Sequence, residues 1–233
     1  LIYNTILYMK LHRFFFEILV FFAIFIALIL PPITNVQRDT LLQFQWNLPL
    51  NYIFLGTIAL FIFLYEITQK KQNEISEKNT SNSIKTFILA TIFTFISLFI
   101  IAFILESVAF LTKQNQQNVT ISPINSKKEL FYCILKFCLA AFYEEVMYRL
   151  YLPEQLKRFF KNTQNKITQI YIPEIITIIL FALGHKYLGI FAVINACIAC
   201  VILRICYIKT QNIFASTIAH FMYNFVSLLL FII

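Results

Sequence analysis

Residues 142–152 read FYEEVMYRLYL, so Glu144, Glu145 and Arg149 sit inside a stretch that is otherwise aromatic and aliphatic. On the insertion scale each charge at the centre of a membrane helix costs about 2.5–3.5 kcal/mol. Glu145 and Arg149 are four apart with the acid on the N-terminal side, the spacing at which opposite charges pair along a helix. A structural ion pair near the headgroups accounts for those two. It leaves Glu144, about 100° around the helix, without a partner.

Two later apolar stretches carry further groups of the same kind. His185 lies in FALGHKYLG, flanked by Gly184 and Gly189, and His220 and Asn224 lie four apart in TIAHFMYNF, on one helical face. An intramembrane histidine alone is often a hydrogen-bonded packing residue. Two histidines, an asparagine and a surplus glutamate within spans point instead to a shared site, since intramembrane ionisable groups are functional by default. A carboxylate in a cavity of low dielectric can act as general base toward water, and an imidazole beside it can share the proton or orient the water. A second histidine with an asparagine amide can donate hydrogen bonds to a developing oxyanion. That set suits hydrolysis of an amide bond. Alternatively, Glu144, His185 and His220 could hold a zinc ion with an open position.

Other intramembrane hydrolase plans fail on residue counts. Asp39 is the single aspartate, which rules out an aspartyl dyad, and there is neither a GxS serine motif nor an HExxH pair of zinc ligands.

These residues need helices to position them. The chain of 233 residues is 60% hydrophobic and 13% charged, against about 45–50% and 25% in soluble domains. Its mean hydropathy is +0.76. The composition predicts an all-α, polytopic transmembrane bundle. Alternating strands with turn clusters, the pattern of a membrane β-barrel, are absent. Apolar runs at roughly 14–32, 50–66, 86–112, 130–151, 173–188, 189–208 and 212–233 predict about seven spans, with six to eight as the bounds. The first run lacks an A-x-A-type cleavage site and ends in Pro31–Pro32, which predicts a retained span. Residues 68–85, 112–129 and 152–174 read as polar connections, and KRFFK in the last as a short amphipathic surface helix. The expected division is an N-terminal part, 1–128, of spans and linkers, and a catalytic helical core over 129–233.

The net charge of +8 comes from basic residues lying mainly between apolar runs. There they orient a membrane protein, and nucleic acid is not an expected partner. With the N-terminus inside, twelve Lys and Arg fall on inside segments and five on outside ones, so a cytoplasmic N-terminus is expected. The five cysteines all lie in or beside apolar runs and give no disulfide framework; Cys197 and Cys200 read as packing residues. Glu106 and Lys136 read as a structural pair across two spans, Glu17 as a partner of Arg13 one turn away, and Trp46 as an interface anchor.

EEVMYR fits an EExxxR pattern, FALGH fits FxxxH and HFMYN fits HxxxN, in that order on successive spans. Together they resemble the CAAX protease and bacteriocin-processing (CPBP, or Abi) family, which includes the type II CAAX prenyl endopeptidases. KTQNIFASTIAH is also similar to that family's turn and helix entry before its last motif. The resemblance covers roughly residues 130–230. It implies a helical intramembrane endopeptidase in which Glu144 activates water helped by His185. His220 and Asn224 would form the oxyanion hole, and Glu145 and Arg149 would support the site. It implies a peptide or membrane-protein substrate within the bilayer. No cofactor is required by this plan, although the family is often labelled metallo-type and a divalent metal such as zinc is the other expectation. Leu150 and Gln211 depart from the family, which commonly has glycine at both places.

Two other readings use the same residues. A non-enzymatic immunity or scaffold relative would keep the fold, but has no need for the desolvated charges. A proton-coupled transporter would use Glu144 and the histidines as a relay, but no internal repeat is visible. One conflict remains within the span assignment: Glu144 and His220 fall toward the inner ends of their spans and His185 toward the outer end of a short one. The fifth helix must therefore begin deeper than 173, or break at Gly184–Gly189.

Overall fold

The computed structural model describes residues 17–34, 42–44, 47–73, 84–112, 119–121, 123–161 and 163–232. The chain is all-helical apart from one short ribbon. In order, the helices are α1 (Glu17–Thr34), α2 (Leu50–Asn73), α3 (Ile84–Leu111) and α4 (Lys127–Glu145). They continue as α5 (Leu152–Phe160), α6 (Lys166–Leu183), α7 (Ile190–Thr210) and α8 (Ile213–Ile232). Two three-residue strands, β1 (Leu42–Phe44) and β2 (Val119–Ile121), pair in parallel and join the α1–α2 and α3–α4 connections. Among the described residues, five helices are long and apolar enough to cross a membrane: α1, α3, α6, α7 and the stretch Leu50–Thr68 of α2. α4 and the shorter apolar α8 complete the seven expected elements. Phe93, Phe103 and Phe110 of α3 stand 69–84% exposed, an apolar face suited to lipid rather than water.

α4 starts with a capping arrangement. Ser126 accepts a hydrogen bond from the Glu129 N–H at 3.2 Å, and the Glu129 carboxylate accepts one from the Asn125 N–H at 2.7 Å. The helix then runs without interruption through a π-helical segment, Val146–Tyr151, into α5. Every side chain of that segment is buried, and it forms the centre of the main core with Phe181, Ala196, Cys200, Tyr207 and Ile213. Pro153 gives part of the reason for the widened turn. Proline has no N–H for the carbonyl four residues back, and its ring crowds that carbonyl.

Two sequence expectations need correction here. The fifth span begins before 173, and the connection 152–174 is mostly helical. α5 and the first turns of α6 fill that stretch, joined by a short turn that ends in the Asn165 cap, which accepts from Ile167 N–H at 2.9 Å. Several of their charges pair within the stretch or with a neighbouring helix. Lys157 contacts Glu154 and Glu174 at 3.1 Å each, and Arg158 contacts Glu66 of α2 at 3.2 Å. The KRFFK surface helix is therefore part of α5, whose Phe159 packs edge-on against Phe21 of α1 with centroids 5.0 Å apart. The expected Glu106–Lys136 pair does not form among the described residues; Lys136 lies over the Tyr52 ring at 5.4 Å. The Arg13–Glu17 and Trp46 assignments involve residues outside those described.

Gln211, between α7 and α8, has φ 51° in the left-handed region. That explains why glycine suits the position. An L-residue there costs about 1–2 kcal/mol, and glycine's extra freedom in the unfolded chain returns about 0.4–1 kcal/mol of that. Gln211→Gly is therefore expected to raise the thermal midpoint in detergent by a few degrees or less, and a fall would contradict the strain.

Candidate active site

The register of α6 against α4–α5 sets the depth of each group. Glu174 meets Lys157 at 3.1 Å. Further along, the Phe181 ring meets Tyr148 with centroids 5.0 Å apart and lies 4.4 Å from the Arg149 guanidinium. The helices run antiparallel, so one more turn brings His185 level with Glu144 and Glu145. One of the two ways out of the conflict within the span assignment is present: α6 starts at Lys166 and the chain breaks at Gly184–Gly189, where Lys186–Leu188 form a 3₁₀ turn and Gly189 takes φ 95°. Tyr187 of this turn and Tyr52 of α2 are within electrostatic reach of the Glu144 carboxylate.

Glu145 is the hub. Its carboxylate is fully buried, and one oxygen faces both Arg149 Nη2 at 3.3 Å and His220 Nδ1 at 2.9 Å. The helical pair expected from spacing is present, and it also holds a histidine 75 residues away, which spacing could not reveal. Arg149 is fully buried too. Besides Glu145, its guanidinium rests on the Phe181 face, where a cation gains from the ring quadrupole.

His220 places its other nitrogen toward the chemistry. Nε2 lies 3.8 Å from Glu144 Oε2, beyond direct hydrogen bonding. The Glu144 side chain is 26% exposed, while its Oε2 is buried and has no hydrogen-bond partner among the described residues. His185 is fixed by Nδ1 against the Phe181 carbonyl at 2.9 Å. A carbonyl only accepts, so Nδ1 carries the hydrogen and Nε2 keeps a free lone pair. Asn224, one turn beyond His220, is half-buried. Next to it, the Tyr223 hydroxyl accepts from Asn195 Nδ2 at 2.9 Å, which fixes α8 against α7.

The structure thus brings Glu144, Glu145, Arg149 and His220 into one contact chain and sets His185 at their level. No three His, Cys, Asp or Glu side chains among the described residues form a group able to hold a metal ion. Glu144, His185 and His220 are not gathered into such a three-ligand group.

Sequence reasoning missed Arg204 and Glu174. Arg204 Nε and Nη2 fork onto the two Glu174 oxygens at 2.9 and 2.6 Å, and Nη1 donates to the Arg149 carbonyl. The signal was there: Arg204 sits inside the apolar run CVILRICYI. Near the end of a span it counts among the twelve basic residues of the inside segments, which gives it an orienting role and hides a structural one.

The model of one protein family, described as type II CAAX prenyl endopeptidase Rce1-like, matches residues 126–226. The match contains all six candidate residues and the whole π-helical segment. No curated protein and no solved structure matches the chain.

Proposed function

We propose, from the premise that this chain belongs to the type II CAAX prenyl endopeptidase Rce1-like family of membrane peptidases, that it hydrolyses a peptide bond with water activated by Glu144. The observation that carries this reading is the Glu144 side chain, partly exposed but with a buried and unpartnered Oε2 turned toward His220, next to a Glu145–Arg149 pair with no exposure at all. One acid is open to a reactant, and the other is committed to holding the histidine.

In this reading a water sits between Glu144 and His185 Nε2. Glu144 takes its proton as the oxygen attacks the scissile carbonyl. The negative charge that forms on the carbonyl oxygen is met by N–H groups of His220 and Asn224. His220 turns Nε2 toward that oxygen while Nδ1 stays on Glu145. As the tetrahedral intermediate collapses, the C–N bond breaks and Glu144 returns its proton to the leaving amine.

The substrate is a peptide or a membrane protein reaching the site within the bilayer. The family's namesake, a prenylated C-terminal CAAX tail, is the first to try. With the N-terminus cytoplasmic, the α5 end of the bundle and the nearby site lie toward the cytoplasmic side. Purified protein in liposomes is expected to cut a farnesylated CAAX peptide, or a member of a panel of transmembrane peptides, at a single bond, read by mass spectrometry. No cleavage across the panel, together with proton-coupled flux through the same liposomes, would favour a transporter instead.

A further inference from the structure

We infer that Arg204, on α7, is a positioning residue for the candidate site, acting through the backbone of Arg149. An α-helical carbonyl accepts from the N–H four residues on. Arg149 lies at the exit of the π-helical segment, and the residue that would serve its carbonyl as the chain returns to the α-helical register is Pro153, which has no N–H to give. Arg204 Nη1 supplies a donor to this carbonyl in the buried core. Leaving such a group without a partner is costly.

Arg204 is itself held rigidly. Its planar fork grips Glu174 through two nitrogens, and a third contact reaches Glu154 at 3.5 Å. A fork anchored at one end and donating at the other fixes the position of the Arg149 main chain. The Arg149 side chain leaves that same residue for Glu145, and Glu145 holds His220. The line from Glu174 to His220 is continuous, and it crosses the π-helical segment, where the ladder changes from bonds four residues apart to bonds five apart. Lysine cannot replace arginine here, because one ammonium cannot grip both Glu174 oxygens and also reach the carbonyl.

The effect on turnover rests on the hydrolase reading, whereas the effect on His220 does not. The test therefore reads both, in full-length protein in detergent micelles labelled with ¹⁵N-histidine. The Nδ1–H resonance of His220, assigned by its loss in His220→Gln, reports the bond to Glu145. Arg204→Lys is expected to shift or broaden it beyond detection. It should also lower kcat about 10–100-fold with KM within a factor of two, the size expected of a misplaced catalytic group. Glu174→Gln should act the same way more weakly, and serves if Arg204→Lys does not purify. Lys157→Ala removes the other cation on Glu174 and is expected to change neither readout. Pro153→Ala restores an N–H, so in that background Arg204→Lys should change kcat by less than a factor of about three.

An unchanged His220 resonance in Arg204→Lys would overturn the proposal, as would an equal effect from Lys157→Ala or no relief from Pro153→Ala. A wild-type protein that cuts nothing, with the resonance still lost in Arg204→Lys, would sink the hydrolase reading and leave the positioning role standing.

Discussion

Glu144→Gln is expected to lower kcat by about 10²–10⁴-fold, the usual contribution of a positioned general base, with stability nearly unchanged. Glutamine keeps the shape of the side chain and removes only its ability to take a proton. Glu144 carries no structural partner that would be lost. Its Oε2 is without a hydrogen bond among the described residues, and its approach to His220 is 3.8 Å. A scaffold or immunity protein would show no loss in its own assay, and a large fall in thermal midpoint would mean that Glu144 holds the bundle together. Initial rates and unfolding midpoints on the same preparation separate these outcomes.

Arg149→Met should do the reverse and act first on the fold. Removing one member of a buried pair leaves the other charge uncompensated, at a cost of about 3–5 kcal/mol. Glu145 is that other charge, with no exposure to water. His220 remains beside it, so the loss is expected near the lower end. Adding Glu145→Gln should recover most of the stability, because a neutral pair of similar size needs no ionic partner. It should not recover activity, because the group that orients His220 has changed. Stability equal to wild type in Arg149→Met alone would contradict the buried pair. Full activity in the double variant would remove His220 positioning from the account.

These two expectations divide along the line between what the sequence displays and what it hides. Glu145 and Arg149 were legible because their partner is one turn away on the same helix. The order of EEVMYR, FALGH and HFMYN on successive spans was legible for the same local reason. The grip of Glu145 on His220 was not, because the two are far apart in sequence and only packing of α8 on α4 joins them. The stretch 152–174 misled for a related cause. Its charges resemble those of a solvated loop, and a hydropathy window cannot see that Glu66 and Arg204 wait on other helices to pair with them. The depth of His185 followed from that error, since it is set by where α6 begins. The π-helical segment left one trace, Pro153, whose effect on the Arg149 carbonyl becomes visible only when Arg204 is in place.

The account stands most directly on His185 lying level with Glu144. Glu144→Cys combined with His185→Cys, in a background lacking the five native cysteines, can be treated with a short thiol-reactive cross-linker in native membranes. Efficient bridging of this pair is predicted, with little bridging when Ile178→Cys, two turns deeper on α6, replaces His185→Cys. Equal or better bridging to position 178 would place His185 away from Glu144, and the water-activating site would not exist.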